Sequence, residues 1–419
     1  MYEELGISKE VYEKAIEAEE ELKEVFKKFD KNCMIASSKI LKAFQDNKVS
    51  TSDFIEITGY GYYDGGREKL EKVYSQIFGA EDALVRPQIM SGTHALYLAL
   101  SGLLKYGDTM ISISGEPYDT LKSVIGLVGD SENSLIKNGI KYEQIDLIDN
   151  DFDYEKIADR VKMSGIKLIE IQRSRGYAQR KSLTISKIEK VIKIIKEIDS
   201  NAIVMVDNCY GEFVEEKEPT DVGADLIISS LMKNLGGGIA TSGGYIVGRK
   251  DLINSVAERL TAPCVGKDMG ANFNQLLSYY KGLYMSPSVV SSSLKSMAFA
   301  SLMLEKFGFN SVSPKFDEER TDIIQTMDLY SEENLVKFCQ GIQLGSPIES
   351  YVVPVPDDMP GYPHKEVMAG GTFTPGATIE LSCDGPLCEP YTAYMQGGLT
   401  YEYGKLGIMI AIENMIKNK

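Results

Sequence analysis

The sequence predicts an α/β protein in which a mostly parallel β-sheet carries helices on both faces and a smaller α+β domain follows it. Between about residues 67 and 285, strand-like apolar runs alternate with helical patterns, and this alternation is typical of a parallel sheet. Beyond residue 285 the rhythm changes to mixed strands and helices. We therefore expect an N-terminal helical arm over residues 1–58, a large α/β domain over 59–285 and a smaller C-terminal domain over 286–419.

The N-terminal arm is predicted from the spacing of its apolar side chains. Within the charged stretch 8–30 these side chains recur at roughly helical intervals, at Val11, Ala15, Leu22, Val25 and Phe29. A second helix is expected over residues 34–44. Such an arm either packs on its own domain as a solvated helix or reaches a partner subunit.

The large domain is predicted from strand-like runs that are separated by helical segments. The runs cover residues 110–114, 142–147, 166–171, 203–207 and 226–230. One intervening helix begins with a capping box, in which Ser186 and Glu189 would each bond the backbone N–H of the other. Because ligands of open α/β sheets lie beyond the carboxyl ends of the strands, the residues that follow these runs are candidates for a functional site.

The C-terminal segment is expected to begin with a long helix that starts at Ser286–Pro287 and continues to Phe307. Mixed elements come after it: strands over residues 323–329, 351–355 and 377–382, and a final helix over 403–416. This order of elements predicts an α+β domain rather than a continuation of the parallel sheet.

Composition excludes several classes of function. The 419 residues are 43% hydrophobic and 25% charged, which is ordinary for a globular protein, and their formal net charge of −16 would repel nucleic acid and anionic membranes. No apolar run reaches the roughly 18 residues of a transmembrane helix, and the first residues lack the apolar region of a signal peptide. The six cysteines are scattered, which favours reduced thiols in a cytoplasmic protein. With only two histidines, we expect no metal site.

Two charged residues end strand-like runs in the large domain. Asp207 closes the run 202–206, and Lys233, 26 positions later, follows the run 224–232. Taken singly, the aspartate fits a cap or turn and the lysine fits a solvated strand end. Together they fit pyridoxal phosphate (PLP), which needs an amine for a Schiff base and an acid beside its pyridinium nitrogen. Burial in a cationic setting would lower the pKa of such a lysine.

A phosphate cradle and an aromatic ring complete the requirements of PLP. Ser91, Gly92 and Thr93 open a helical pattern, and backbone N–H groups at a helix N-terminus bind phosphate, although this pattern also fits a simple cap. Tyr118 follows the strand-like run 110–114, where its ring could stack on a cofactor or belong to an ordinary loop. Ser230 could add a hydroxyl to the phosphate.

At this point the chain resembles the fold-type-I PLP-dependent enzymes of cysteine and methionine metabolism, and within them the methionine gamma-lyase-like or aluminium-resistance branch. The resemblance covers nearly the whole chain. It rests on seven motifs: Gly59-Tyr60-Gly61-Tyr62, Val85-Arg86-Pro87-Gln88, residues 91–95, Gln172-Arg173-Ser174-Arg175-Gly176-Tyr177, residues 206–213, residues 229–234 and residues 394–399.

The resemblance implies a role for each candidate residue. Lys233 would be the Schiff-base lysine, Asp207 the partner of the pyridinium and Tyr118 the stacking ring. The phosphate would be bound by Ser91, Gly92, Thr93 and Ser230. In the wider group a tyrosine and an arginine reach the phosphate of a neighbouring subunit, for which Tyr60 or Tyr62, and Arg67, are the nearest matches. A homodimer, or a homotetramer built from dimers, is implied as well.

The chain departs from the wider group at the arginine that binds the substrate carboxylate. Glu380 occupies the aligned position, and Cys388 stands where a basic residue is expected a few positions later. A thiol cannot make the bidentate contacts of a guanidinium. Arg173 and Arg175, just past the run 166–171, are the remaining candidates, and surface salt bridges are the alternative explanation for both.

The expected function is cleavage of a carbon–sulfur bond in a sulfur amino acid by β- or γ-elimination. Fold alone does not separate this reaction from transamination, racemisation or decarboxylation. A PLP-binding protein with little turnover is a further alternative. A nucleotide-binding protein ranks last, because the chain lacks both the G-x-G-x-x-G and the Walker A patterns.

Overall fold

The computed structural model describes residues 2–60, 64–359 and 362–417. The chain divides into two compact units. The larger unit comprises residues 36–284, and the smaller unit comprises residues 1–35 together with 285–419. The division into arm, large domain and small domain that we expect from the sequence stays a prediction.

The larger unit contains a seven-stranded sheet with helices around it. Its strands are β1 (Asp82–Arg86), β2 (Thr109–Ser112), β3 (Lys141–Gln144), β4 (Ile166–Gln172), β5 (Ile203–Asp207), β6 (Leu226–Ser230) and β7 (Gly244–Gly248). The α-helices that lie wholly or partly in this unit are α1 (Lys9–Asp46), α2 (Gly65–Ile77), α3 (Gly92–Leu103), α4 (Asp119–Ile125), α5 (Tyr154–Lys162), α6 (Ile185–Ile198), α7 (Lys250–Leu260) and α8 (Leu276–Lys306).

The strand order of the large sheet is β1-β7-β6-β5-β4-β2-β3. The pairs β2–β3, β2–β4, β4–β5 and β5–β6 are parallel, and only the pairs that involve β7 are antiparallel. The expected mostly parallel sheet is therefore confirmed. Because β4, β5 and β6 are neighbours that run in one direction, their carboxyl ends meet at one edge of the sheet.

One face of this sheet packs against α3 and α7 in a single apolar core. Met205 of β5 and Ile228 of β6 are fully buried in it beside Ala95 and Leu96 of α3. Side chains alternate between the two faces of a strand, so the last residues of β5 and β6 point to this same face. The start of α3 is thereby held close to the strand ends.

The smaller unit contains a five-stranded antiparallel sheet in the order β10-β11-β12-β9-β8. Its strands are β8 (Val312–Ser313), β9 (Ile324–Asp328), β10 (Glu366–Ala369), β11 (Ser382–Pro386) and β12 (Thr392–Gln396), and its helices include α9 (Glu332–Leu344) and α10 (Tyr401–Ile416). An α+β arrangement was expected here. No helix among the described residues is long and apolar enough to cross a bilayer.

Several expected element boundaries are wrong. The two expected N-terminal helices form the one helix α1, because no glycine or proline interrupts residues 9–46. Helix α8 begins ten residues before the expected start and contains Pro287. The strand expected over residues 351–355 is absent, since Pro354 and Pro356 cannot donate to a ladder. The strand expected over 377–382 is replaced by turns that lead into β11.

Candidate active site

The first turn of α3 lies against the ends of β5 and β6. A Cβ atom built on Gly92 would lie 3.6 Å from the Cβ of Ser230 and 3.9 Å from the Nζ of Lys233. It would also lie 3.5 Å from the Sγ of Cys209. Glycine at this position therefore keeps open the space between the helix end and the lysine. Predicted residues from two distant parts of the sequence, Gly92 in one and Ser230 and Lys233 in the other, meet here.

The start of α3 has the geometry of a capped helix N-terminus. Ser91 is the cap in extended backbone, and its hydroxyl accepts the N–H of His94 at 3.1 Å. In a first helical turn the N–H groups have no intrahelical acceptor, so those of Gly92 and Thr93 point beyond the helix end. With the helix dipole, this is the geometry in which helix N-termini bind anions. The Ser91 hydroxyl caps this helix end through its bond to the His94 N–H.

Tyr118 is fixed at both its backbone and its hydroxyl. Its N–H donates to the Oε1 of Gln172 at 2.9 Å, and its hydroxyl lies 3.0 Å from the Oγ1 of Thr93. Burial, reinforced by the charge of Asp207, raises the pKa of Tyr118, so the phenol is neutral at physiological pH. The ring is thus held between the end of β4 and the start of α3.

Asp207 ends β5 as a buried carboxylate. Its Oδ1 accepts the N–H of Cys209 at 3.0 Å, which closes the turn that follows the strand. Burial and the charge of Asp207 raise the pKa of the Cys209 thiol to about 12, so the thiol is neutral. The site therefore contains an acid beside a neutral thiol and a neutral phenol.

Lys233 lies in acidic rather than cationic surroundings. Burial lowers the pKa of Lys233, but the acidic groups around it, among them Cys209, Tyr210 and Asp207, outweigh burial and raise it well above its ordinary value. The expectation of a lowered pKa is therefore wrong for the protein without a ligand. The Nζ lies 4.2 Å from the ring centroid of Tyr210, which is the geometry of a cation–π contact.

Ser230 lies in the turn that leads from β6 to Lys233. Its hydroxyl accepts the N–H of Met232 at 3.1 Å. The residue is buried on the same face of the sheet as Asp207, as alternation along paired strands requires. Its hydroxyl is consequently next to the start of α3, where an anion would bind.

The structure separates the two arginines that were candidates for binding a carboxylate. Arg173 is 0% exposed and pairs with Glu215 at 2.7 Å and with Glu218 at 3.7 Å. Arg175 lines a cavity of about 360 Å³ together with Tyr118 and Gln172. Arg173 is thus paired with acids of its own chain, and Arg175, which is itself buried, lines the cavity.

The residues expected to reach a neighbouring subunit differ in their exposure. Tyr60 is 82% exposed, and Tyr62 lies outside the described residues. Arg67 is buried and donates to the carbonyls of Gly270 at 2.9 Å and Asp268 at 3.4 Å. Of the two that the structure describes, Tyr60 and Arg67, Tyr60 is the one whose side chain extends into solvent.

Glu380 has a structural explanation within the smaller unit. Its two carboxylate oxygens accept the N–H groups of Phe373 at 2.9 Å and Thr374 at 3.0 Å, and the side chain is buried. An arginine could not accept these bonds. The acid at this position therefore stabilises a turn.

Gln172, Cys209 and Tyr210 occur in the sequence motifs, but no role was predicted for any of them. Gln172 fixes the backbone of Tyr118, and Tyr210 contacts Lys233. The available signal was their position, with Gln172 at the end of β4 and Cys209 and Tyr210 just after the end of β5. Among the described residues, no cluster of side chains suited to a metal ion occurs.

A second acid is buried beneath the candidate site. Glu170 of β4 lies on the same face as Gln172, is 0% exposed, and neither of its oxygens has a hydrogen-bond partner among the described residues. Burial, with the charge of Asp207 adding to it, raises the pKa of Glu170 to about 7. The native protein therefore retains a proton that the unfolded chain releases near its ordinary pKa of 4.5.

Replacing Glu170 with glutamine is expected to make the protein less sensitive to alkaline pH. Because the folded pKa is raised, stability is highest below about pH 4.5 and declines as the pH rises through about 7, by about 3 kcal/mol in total. Urea unfolding of Glu170→Gln without PLP should match the wild type at pH 5 and show a higher midpoint at pH 8. The same substitution at the exposed Glu132 serves as the control. Equal midpoints of Glu170→Gln and wild type at pH 8 would contradict the raised pKa.

Comparison with known proteins identifies what this geometry is similar to. The family model described as methionine gamma-lyase matches residues 10–416. The uncharacterized protein YnbB of Bacillus subtilis is 46% identical over 407 residues, which cover 97% of this chain and 96% of that protein.

Solved structures agree with the family match. A carbon-sulfur lyase involved in aluminum resistance from Clostridium novyi has a TM-score of 0.95 at 44% identity, covering 99% of this chain and 98% of that one. The pyridoxal-5'-phosphate-dependent protein YhfS from Escherichia coli has a TM-score of 0.60 at 15% identity, covering 91% and 95%, which shows the fold alone. The expected fold, that of the fold-type-I PLP-dependent enzymes, is thereby confirmed.

Proposed function

This chain belongs to the methionine gamma-lyase family, and from that premise we propose that it binds PLP at Lys233 and cleaves a carbon–sulfur bond of a sulfur amino acid by β- or γ-elimination. The observation that carries the proposal is the meeting of Lys233, Asp207 and the start of α3. The carbon-sulfur lyase of Clostridium novyi supports the reaction class.

The residues of the site fit PLP. The helix N-terminus at Gly92 and Thr93, where Gly92 places no side chain in the space beside Lys233, suits the phosphate. The hydroxyl of Ser230 is the third candidate phosphate ligand. The carboxylate of Asp207 suits a protonated pyridine nitrogen, and Tyr118 supplies an aromatic face.

The chain's own groups would divide the chemistry among them. PLP, when bound, supplies a protonated ring that withdraws electrons from the α-carbon of an amino acid. Asp207 would keep a proton on the ring nitrogen, and Lys233 would take the proton from the α-carbon as the general base. The neutral phenol of Tyr118 remains a packing surface, because its raised pKa disfavours the phenolate.

Substrate carboxylate binding is assigned to Arg175 in this proposal. Arg175 lines the cavity of about 360 Å³ that Tyr118 also lines. A planar guanidinium makes two parallel hydrogen bonds to a carboxylate. Arg173 is set aside as a candidate because Glu215 and Glu218 occupy it.

Replacing Arg175 with alanine is expected to raise the KM for amino-acid substrates on the order of 100-fold, because the substrate carboxylate would lose its cationic partner. PLP absorbance should remain unchanged. The matched control is Lys122→Gln, which removes another cation of the same cavity whose charge Asp119 already neutralises at 2.7 Å. An unchanged KM in Arg175→Ala would move the carboxylate site elsewhere.

The assembly and location complete the proposal. We propose a cytoplasmic homodimer, or a homotetramer built from dimers, in which Tyr60 contacts the phosphate site of a second copy. The exposed Tyr60 side chain supports this arrangement. A mass measurement in solution tests the assembly, and a monomer with full activity would contradict it.

The function is tested by incubating the purified protein, loaded with PLP, with cysteine, cystathionine, methionine and homocysteine. Elimination predicts a thiol or sulfide, a 2-oxo acid and ammonia in equal amounts from at least one of them. Transamination would release oxo acid without ammonia, racemisation would yield the D-isomer, and decarboxylation would yield carbon dioxide. PLP binding without turnover of any amino acid would favour a sensor of cofactor or amino acid.

A further inference from the structure

Arg173 fixes the turn that follows β5. Its Nη1 donates to the Oδ1 of Asn208 at 2.7 Å and to the carbonyl of Gly211 at 2.9 Å. A Cβ on Gly211 would lie 2.5 Å from that same Nη1, so only glycine leaves room for the guanidinium. The two carboxylates that pair with Arg173 keep its side chain in this place. Residues 208–211 are therefore held from one side by a buried cation.

Tyr210 lies within this turn in a conformation that tyrosine seldom adopts. Its φ of 70° is in the left-handed region, where a Cβ is disfavoured. Such a backbone persists where the surrounding contacts determine it, and it is found at functional sites. Among the contacts that flank it are the two bonds that Arg173 makes to Asn208 and Gly211. The result is that the ring of Tyr210 faces the ammonium of Lys233, 4.2 Å from its centroid.

We propose that Tyr210 and Arg173 are positioning residues for Lys233: Arg173 holds the turn, the turn holds Tyr210 in the left-handed conformation, and the ring holds the ammonium until the cofactor arrives. This inference rests on the proposed function of Lys233 and adds to it a role for Arg173 other than carboxylate binding. The electron-rich face of the ring attracts the cation. Within the described part of the chain, the other titratable groups that act on Lys233 include Asp207, Cys209 and Tyr118, and the variants below keep all three.

The pKa of Lys233 in the protein without PLP tests the contact directly. Lysines are acetylated competitively over a range of pH, and the peptide with Lys233 is followed by mass spectrometry. Tyr210→Gly removes the ring and also relieves the left-handed backbone, so loss of folding is not expected. The fraction of free amine at neutral pH should rise on the order of ten-fold, since a cation–π contact at a desolvated site is lost. Tyr210→Phe keeps the ring and should behave as the wild type.

Two further variants separate positioning from general damage. Arg173→Met should shift the pKa of Lys233 in the same direction as Tyr210→Gly, because the turn is no longer held. Tyr330 also has a left-handed φ, of 58°, but is 65% exposed in the smaller unit, so Tyr330→Gly should leave Lys233 unchanged. A second readout is the rate of PLP attachment against pH, whose rising limb should move about one pH unit lower in Tyr210→Gly.

The outcomes distinguish this inference from the proposed function. If Tyr210→Gly and the wild type give the same pKa for Lys233, the positioning role is overturned whatever the enzyme does. If borohydride fails to fix PLP on Lys233 in the wild type, the proposed function fails, and acetylation still decides whether the ring contacts the ammonium. An unchanged pKa in Arg173→Met, with a shift in Tyr210→Gly, would remove Arg173 from the inference.

Discussion

Lys233→Ala is expected to lose turnover on the order of 10⁴-fold, because the same amine would attach the cofactor and move the proton of the α-carbon. Borohydride reduction of the wild type should fix PLP on the peptide that contains Lys233, and the variant should yield no such peptide. Activity against sulfur amino acids and peptide mapping are the two measurements. Both expected results rest on the position of the Lys233 amine beside the start of α3, where its Nζ lies 3.9 Å from a Cβ built on Gly92.

Lys233→Arg is the matched control for this prediction. It keeps a cation on the ring of Tyr210, but a guanidinium neither forms the attachment nor releases its proton at neutral pH. Added methylamine should restore part of the activity of Lys233→Ala, where space is available, and little of that of Lys233→Arg. Labelling of a different lysine, or full activity of either variant, would refute the role of Lys233.

The strand-end residues were predictable because topology alone brings them together. In a parallel sheet the carboxyl ends of neighbouring strands lie side by side, so Asp207 and Lys233 converge once β5 and β6 are recognised as neighbours. The start of α3 joins them because its apolar face packs on the same side of the sheet. Local sequence patterns indicate both the strands β5 and β6 and the apolar face of α3.

The difference between Arg173 and Arg175 was not predictable from local patterns. Both follow β4, and alternation indicates only that both point away from the face of Gln172, the last residue of that strand. What decides the matter is a pair of acids some forty residues later, Glu215 and Glu218, which reach Arg173 through the fold. The pKa of Lys233 was missed for the same reason, since its acidic neighbours belong to other segments.

Some element boundaries in the C-terminal part of the chain were predicted wrongly because the local sequence carries conflicting signals. The β-branched residues near Val352 favour a strand, but the prolines that follow remove the donors that a ladder needs. Pro287 suggested a helix start, yet α8 continues through it. Such cases depend on packing around the segment, which a single sequence does not contain.

Asp207→Asn is expected to retain PLP and to lower kcat on the order of 10³-fold, because an amide cannot stabilise the protonated pyridine ring. The substitution preserves the turn after β5, since an amide oxygen can still accept the N–H of Cys209 as Oδ1 does at 3.0 Å. The loss is therefore electrostatic rather than structural. Absorbance titration measures whether the variant retains PLP, and assays at saturating substrate measure its kcat.

The titration of Cys209 shows independently whether the charge was removed without other damage. Burial and the charge of Asp207 raise the pKa of this thiol, so the pKa should fall from about 12 in Asp207→Asn while burial alone still keeps it raised. The contrasting variant is Asp225→Asn, which breaks ion pairs with Lys196 and Arg249 away from the site. It should lower the free energy of unfolding while leaving kcat near the wild-type value. A lowered Cys209 pKa together with a normal kcat would mean that the charge of Asp207 reaches its neighbours but does not assist the reaction.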